Sequence, residues 1–208
     1  MKELVLVGAG GHAKVCIELL RAMGKHVAFC VGAKGSPQQC LGIPVLEGDE
    51  HITRLRSQGY TRIFIAIGCN QIRNRLADLA MKQGYVLENA ISPRAVVSPS
   101  AKIGHGVAVM AGAVINADAT VGDLSIVNTG ASIDHDCIIG RAVHISPQTA
   151  LAGNVQVGDS AFLGIGTTVV PEIVIGHNAV IGAGSVVLSH ILAGATAFGV
   201  PAKHIENK

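Results

Sequence analysis

Between positions 91 and 187 the chain sets Ile, Val or Leu at every sixth residue. These anchors are Ile91, Val97, Ile103, Val109, Ile115, Val121, Val127, Ile133, Ile139, Ile145, Leu151, Val157, Leu163, Val169, Ile175, Ile181 and Val187. The residue after an anchor is usually small or Gly, as in Ile103-Gly104, Val121-Gly122, Ile139-Gly140, Val157-Gly158 and Ile181-Gly182. Four residues after the anchor a second small or β-branched side chain recurs, at Ala95, Ala101, Ala113, Ala119, Ala131, Ala161, Thr167, Ala179 and Ser185. A period of six sustained this long is the hexapeptide pattern of a parallel β-helix, in which each hexad forms one flat face and three hexads close a triangular coil. The pattern predicts inward anchors, small residues where the wall closes over them, and Gly at the sharp corners.

The first third follows another rhythm. Apolar runs and helical periodicity predict strands at 3–7, 26–31, 43–46, 62–67 and 85–87, with helices at 12–23, near 49–58 and at 71–83. Strands alternating with helices give a small parallel, Rossmann-like α/β domain over 1–88, followed by the β-helix and its tail over 89–208. Beyond Val187 the repeat fades, and Phe198-Gly-Val-Pro-Ala-Lys203 closes the chain.

Gly8-Ala9-Gly10-Gly11-His12-Ala13 fits the G-x-G-x-x-G/A turn between a strand and a helix, where glycines let backbone amides approach a phosphate at the helix N-terminus. A dinucleotide site also needs an acid at the end of the second strand, and Phe29-Cys30-Val31-Gly32-Ala33 has none. The turn therefore favours a nucleotide diphosphate over NAD, with a ligand-free tight turn as the alternative. A second turn, Ala66-Ile67-Gly68-Cys69-Asn70, lies at another strand's C-terminal end, where α/β sheets bind ligands.

Among nine His residues the repeat phase singles out His135. It stands two positions after an anchor and so projects outward, between Asp134 and Asp136. An adjacent carboxylate orients an imidazole and stabilises its protonated form, which makes it a better general base. A solvated surface His is the plainer alternative, and it is the one that suits His105 and His177 in the same phase. Gly153 lies eighteen residues from His135, one coil along, where its N–H could meet a developing oxyanion. His144, nine residues from His135, falls on another side of the prism. Either the two meet across a subunit boundary or His144 is a lone surface residue. No close His pair on one face points to a metal.

Composition narrows the field. A net charge of +2 without basic runs or aromatic stripes argues against nucleic acid. No apolar run reaches the roughly 18 residues of a membrane span, and the opening MKELVLVGAGGHAK lacks the apolar length and cleavage pattern of a signal peptide. Cys16, Cys30, Cys40, Cys69 and Cys137 form no CxxC pair and read as buried, reduced thiols of a cytoplasmic protein.

Four motifs together resemble the hexapeptide-repeat sugar acetyltransferases, the group of the bacillosamine and perosamine N-acetyltransferases and the sialic acid O-acetyltransferases. They are Gly8-Ala-Gly-Gly-His-Ala-Lys-Val15, Ala66-Ile-Gly-Cys-Asn-Gln-Ile-Arg73, Asn128-Thr-Gly-Ala-Ser-Ile-Asp-His-Asp-Cys-Ile-Ile-Gly140 and Gly199-Val-Pro-Ala-Lys203. The resemblance implies a left-handed β-helix, a homotrimer with sites between adjacent β-helices, and acetyl-coenzyme A as co-substrate without a metal. It implies His135 as general base, Asp136 as the carboxylate that raises its basicity, and Gly153 as the oxyanion amide. His144, Gly153, Ile165, Gly182 and Ala183 would touch acetyl-coenzyme A, while Gly10, Gly11, His12, Gly68 and Asn70 would hold the nucleotide sugar. Bacillosamine-type members carry an acidic pair where this chain has Gly32-Ala33, so the nucleotide is held differently or is not uridine. The leading expectation is N-acetylation of a UDP- or GDP-linked amino-deoxy sugar for surface glycan synthesis. O-acetylation of a sialic acid-type sugar and a non-catalytic, trimeric nucleotide-sugar-binding scaffold are the alternatives.

Overall fold

In a computed structural model that describes residues 3–205, the chain divides into two compact units that meet in sequence between Pro93 and Arg94. The first contains β1 (Leu4–Val7), α1 (Gly11–Ala22), β2 (Val27–Gly32), β3 (Gln39–Cys40), β4 (Ile43–Glu47), α2 (Glu50–Ser57), β5 (Arg62–Ile65), α3 (Asn70–Lys82) and β6 (Val86–Leu87). The sheet runs β3-β4-β2-β1-β5-β6, and β4, β2, β1, β5 and β6 are parallel. All four residues of β1 are buried, as expected of a central strand covered on both faces. Helix α1 turns Ala13, Cys16, Ile17 and Leu20 inward at helical spacing, and this stripe seats it in the core.

Two expectations need correction here. The sheet is not wholly parallel, because β3 runs antiparallel to β4. Leu41 (φ 50°) and Gly42 (φ 80°) form a two-residue turn with both central residues left-handed, and Leu-Gly lacks the Asn-Gly signal that announces such hairpins. Cys16, Cys30, Cys40 and Cys137 are buried, but Cys69 is exposed because it caps α3 at the rim of the sheet. The other helices and strands fall within two residues of their expected ends.

At the end of β6, Glu88 accepts hydrogen bonds from Lys25 Nζ at 2.6 Å and from Arg62 Nε, and Lys25 also donates to the Asn89 carbonyl at 3.2 Å. Burial alone would raise the Glu88 carboxyl, but the hydrogen bonds from Arg62 and Lys25 outweigh it and hold the group below its usual range.

The second unit is a stack of coils. Each two-residue strand pairs in parallel with the strand eighteen residues on, so that Ile115, Ile133, Leu151, Val169 and Val187 stand in one column. A second column runs through Val109, Val127, Ile145, Leu163 and Ile181. A third runs through Ile103, Val121, Ile139, Val157 and Ile175. Anchors from Val109 to Val187 are buried, whereas Ile91, Val97 and Ile103, at the start of the stack, are only half-buried. Inside the prism, buried hydroxyls serve the corner carbonyls: Ser125 donates to Gly140 O, Thr149 and Thr167 to Gly164 O, and Ser185 to Gly182 O. A buried polar group left without any partner would cost about 1–3 kcal/mol.

The glycines do a different job from the one expected. Those after the anchors are not the left-handed corner residues. That conformation falls three residues after each anchor from Ile103 to Ile181, at Gly106, Gly112, Asp118, Leu124, Gly130, Asp136 and onward to Gly184. Glycine after the anchor serves close approach: a Cβ on Gly122 would lie 2.7 Å from the Gly140 carbonyl, and one on Gly164 2.6 Å from the Ala183 nitrogen. The backbone of the next coil, about 4.8 Å away, occupies the space a side chain would need.

The repeat also persists beyond Val187, in altered phase. Thr196 and Ala197 pair with Val180 and Ile181 sixteen residues back rather than eighteen, and Ile191 bridges Ile175. Strand Lys203–His204 then folds back antiparallel on Thr196–Phe198.

Replacing Gly122 with Ala should therefore destabilise the β-helix by about 1–3 kcal/mol, because the methyl group must displace main chain. Replacing Glu172, an exposed left-handed residue, with Gly should cost nothing or stabilise slightly. Urea unfolding of both variants checks this, and equal destabilisation would contradict the assignment of the two positions.

Candidate active site

The chemistry-bearing residues lie in two groups, one in each unit. In the β-helix, the corner after strand Ser132–Ile133 carries Asp134, His135 and Asp136. Asp134 Oδ1 accepts the His135 backbone N–H at 2.8 Å and the Asn116 Nδ2–H at 2.9 Å from the preceding coil. The hydrogen bond from the His135 backbone, then that from Asn116, holds the Asp134 carboxyl below its usual range. Asp136 takes the left-handed corner conformation (φ 58°), which Asp tolerates better than most residues, and its carboxylate comes round to the imidazole.

His135 Nδ1 lies 2.8 Å from Asp136 Oδ2. This contact requires a proton on Nδ1, so in the neutral ring Nε2 carries the lone pair. The hydrogen bond to Asp136 comes first among the causes that raise the His135 pKa, with slight desolvation opposing and the charges of Asp134 and Asp136 adding. Both side chains remain about half exposed, at 55% and 53%. The ring lies directly against Gly153 on the following coil: a Cβ there would stand 2.5 Å from His135 Cε1 and 2.6 Å from Nε2. Only glycine leaves the imidazole that position. Cys137, two residues on, is buried and bonds to the Ala152 carbonyl at 3.2 Å, and burial raises its thiol pKa. It is a packing residue rather than a nucleophile.

His144 belongs to a different sheet, in register with Ile126 and Phe162. Its Nε2 lies 3.2 Å from Asn128 Nδ2, and its ring meets Phe162 edge-on at 5.3 Å. Asn128 Oδ1 accepts the Thr129 N–H at 2.8 Å, which turns the amide NH2 toward His144 and makes Nε2 the acceptor. Ile165, 58% exposed, sits at the corner after strand Phe162–Leu163. Gly182 and Ala183 stack on this corner from the next coil, where the Gly184 N–H donates to the Ile165 carbonyl at 2.7 Å.

In the α/β unit, β1 lies between β2 and β5, so the chain reverses direction across the sheet between β1 and β5. Both turns of interest leave the sheet at this switch point, the usual ligand crevice of such sheets. Gly8 (φ 126°) is required by the approach, since a Cβ would meet the Ala66 carbonyl oxygen at 2.6 Å. Gly10, Gly11 and Gly68 instead border open space, where a Cβ would meet nothing beyond its own local chain within 4 Å. Gly10 caps α1 without a side-chain hydrogen bond. His12, half-buried on the first turn of α1, has its pKa lowered to about 4, mainly by burial and then by the charge of Arg73. Asn70, 8% exposed, turns its Oδ1 inward to Arg73 at 2.7 Å.

Sequence reasoning proposed His135, Asp136 and Gly153, and the structure brings these three into contact. It missed Asn116, the hydrogen-bond partner of the flanking Asp134, and Asn128 beside His144. The signal for Asn116 was present, because Asn116 and Asp134 are eighteen residues apart, one coil, and each directly follows an anchor. Among the described residues, no group of three or more His, Cys, Asp or Glu side chains could hold a metal.

Comparison with known proteins gives matches in both units. Residues 3–80 match the PglD N-terminal domain, and residues 154–189 the bacterial transferase hexapeptide (six repeats). UDP-N-acetylbacillosamine N-acetyltransferase of Bacillus subtilis is 39% identical over 120 residues, 53% of this chain and 52% of that protein. The chain thus spans about half the length of that curated relative. A variant of perosamine N-acetyltransferase from Caulobacter crescentus, solved with CoA and GDP-perosamine, is 49% identical with a TM-score of 0.97, over 100% of this chain and 98% of that one. The acetyltransferase domain of PglB from Neisseria gonorrhoeae, solved with acetyl coenzyme A, is 38% identical with a TM-score of 0.90, over 98% of each chain. With a Rossmann-like domain, a left-handed parallel β-helix and these relatives, the chain belongs to the hexapeptide-repeat sugar acetyltransferase family of the bacillosamine and perosamine N-acetyltransferases.

Proposed function

We propose that this protein transfers an acetyl group from acetyl-coenzyme A to the amine of a nucleotide-linked amino-deoxy sugar. The observation that carries the reading is His135, with Nδ1 tied to Asp136 and its ring seated against Gly153. In the proposed step, the sugar amine attacks the thioester carbonyl and its proton passes to His135 Nε2. Asp136 stabilises the imidazolium that forms. The Gly153 N–H meets the tetrahedral oxyanion, which collapses to the amide and expels the coenzyme A thiolate. His135 returns the proton to that sulfur. No acyl-enzyme is required, and the nearby Cys137 thiol is buried and protonated.

We assign nucleotide-sugar binding to the α/β unit, through Gly10, Gly11, His12, Gly68 and Asn70. Contacts to acetyl-coenzyme A are assigned to His144, Gly153, Ile165, Gly182 and Ala183. GDP is the favoured nucleotide. A relative matched over its whole length was solved with GDP-perosamine, and a side chain at Gly32 would be crowded, since a Cβ would stand 2.5 Å from Ser36 Oγ. A homotrimer is part of the reading. Phe162 and Val180, on the face that carries His144, present apolar side chains 36% and 40% exposed, which a second copy would cover. No helix among the described residues is long and apolar enough to cross a membrane. Buried free thiols suit the reducing cytoplasm, where we place the reaction.

Thiol release from acetyl-coenzyme A, measured with GDP- and UDP-linked 4-amino sugars and with free sialic acid, tests the chemistry. Rapid release is expected with a GDP-linked amino sugar, falling about 100-fold or more in His135→Ala. Release with sialic acid alone would move the protein to O-acetylation, and silence without acetyl-coenzyme A binding would leave a scaffold.

The pH profile gives a second check. A raised His135 pKa means the neutral base forms only above that pKa, so activity falls as pH drops through it. Asp136→Asn removes the first of these causes and should shift the acid limb of kcat/KM to lower pH while reducing the plateau. An unmoved limb would separate Asp136 from the base. Sedimentation should give a mass three times the 21.3 kDa chain, and a monomer that remains fully active would exclude the shared-site arrangement.

A further inference from the structure

Arg73 is the largest fully buried side chain among the described residues, only 1% exposed, yet it carries a charge. A buried charge costs several kcal/mol unless its hydrogen bonds are met, and an apolar residue would fill the volume more cheaply. Its fork meets named acceptors: Nη1 donates to the Ile67 carbonyl at 2.9 Å and to the Gly68 carbonyl at 3.0 Å, and Nη2 donates to Asn70 Oδ1 at 2.7 Å. Two consecutive carbonyls of the turn after β5 are thus drawn to one point. In a trans peptide the N–H points opposite to the C=O, so the amides of Gly68 and Cys69 are turned away from the guanidinium. That is the arrangement an anion requires of a backbone turn. Across the switch point, the same guanidinium is near enough to His12 to depress its basicity.

We infer that Arg73 is a positioning residue for the nucleotide diphosphate: it shapes the 66–70 turn for the phosphates and stations a fixed charge behind His12. The inference rests on the reading of this sheet edge as the nucleotide-sugar site. The charged and titratable groups that face His12 are Arg73 from α3 and Cys16 from its own helix, with Cys69 next to Arg73. Burial raises the Cys16 thiol to about 12, so it is protonated and can offer its hydrogen to His12 Nε2 at 3.6 Å. The neutral His12 then holds its own proton on Nδ1, as a donor rather than a second cation. Lysine cannot reproduce this role, because an ammonium has no planar fork to span two carbonyls and an amide.

The test uses the full-length enzyme with Arg73→Met and Arg73→Lys, both checked for folding by thermal melting. KM for the nucleotide amino sugar should rise about 10-fold or more in both, equivalent to about 1.4 kcal/mol. Meanwhile kcat and KM for acetyl-coenzyme A should stay within about twofold, since the second unit is untouched. NMR titration should find His12 protonating at higher pH in Arg73→Met and near the wild-type value in Arg73→Lys. If Arg73→Met does not fold, Arg73→Lys still decides, and a wild-type sugar KM there would overturn the inference. An unchanged sugar KM in folded Arg73→Met would overturn it as well. A wild-type enzyme that binds neither GDP- nor UDP-linked amino sugars would instead overturn the underlying site, and the inference with it.

Discussion

Parallel hydrogen bonding between coils eighteen residues apart is the constraint on which the second unit depends. It brings consecutive coils to about one strand spacing, and every residue at a given phase then faces its counterpart above and below. Glycine follows many anchors because the next backbone is already there, as Gly122 and Gly140 illustrate. The same register builds the chemistry. His135 rests on Gly153, Asp134 is braced by Asn116, and His144 stands between Asn128 and Phe162, each along the axis of the stack.

The α/β unit reaches its site by a different route. A central strand flanked on opposite sides by β2 and β5 leaves two turns at one rim, and Gly8 permits them to touch. What distinguishes this rim is that its polarity is organised from inside. A buried guanidinium anchors one turn, and a half-buried imidazole on the other remains uncharged.

Much of this was legible in the chain because both architectures write a period into it. The six-residue repeat alone locates the anchors, the coil length and the neighbourhood of His135 and Gly153. The features that stayed hidden depend on backbone conformation rather than residue type. Left-handed corners are filled by Asp118, Leu124, Gln148 or Glu172 as readily as by Gly, so composition does not mark them. The β3–β4 hairpin turns on Leu41-Gly42, a pair with no strong turn preference, and Cys69 is exposed only because of where α3 begins. Arg73 closes the Ala66–Arg73 motif in the sequence, but its burial is a tertiary fact that the motif does not carry.

The final coil, two residues shorter than the rest, has a consequence for how the molecule behaves in a crowd. A stack of identical coils would finish in a bare rung of unpaired amides and carbonyls, a template onto which another copy could grow as it does in fibres. Here the last rung is out of phase with the one below it, and Lys203–His204 doubles back across Thr196–Phe198. The change of step acts as a full stop, and a structure built by repetition is thereby kept from repeating itself between molecules.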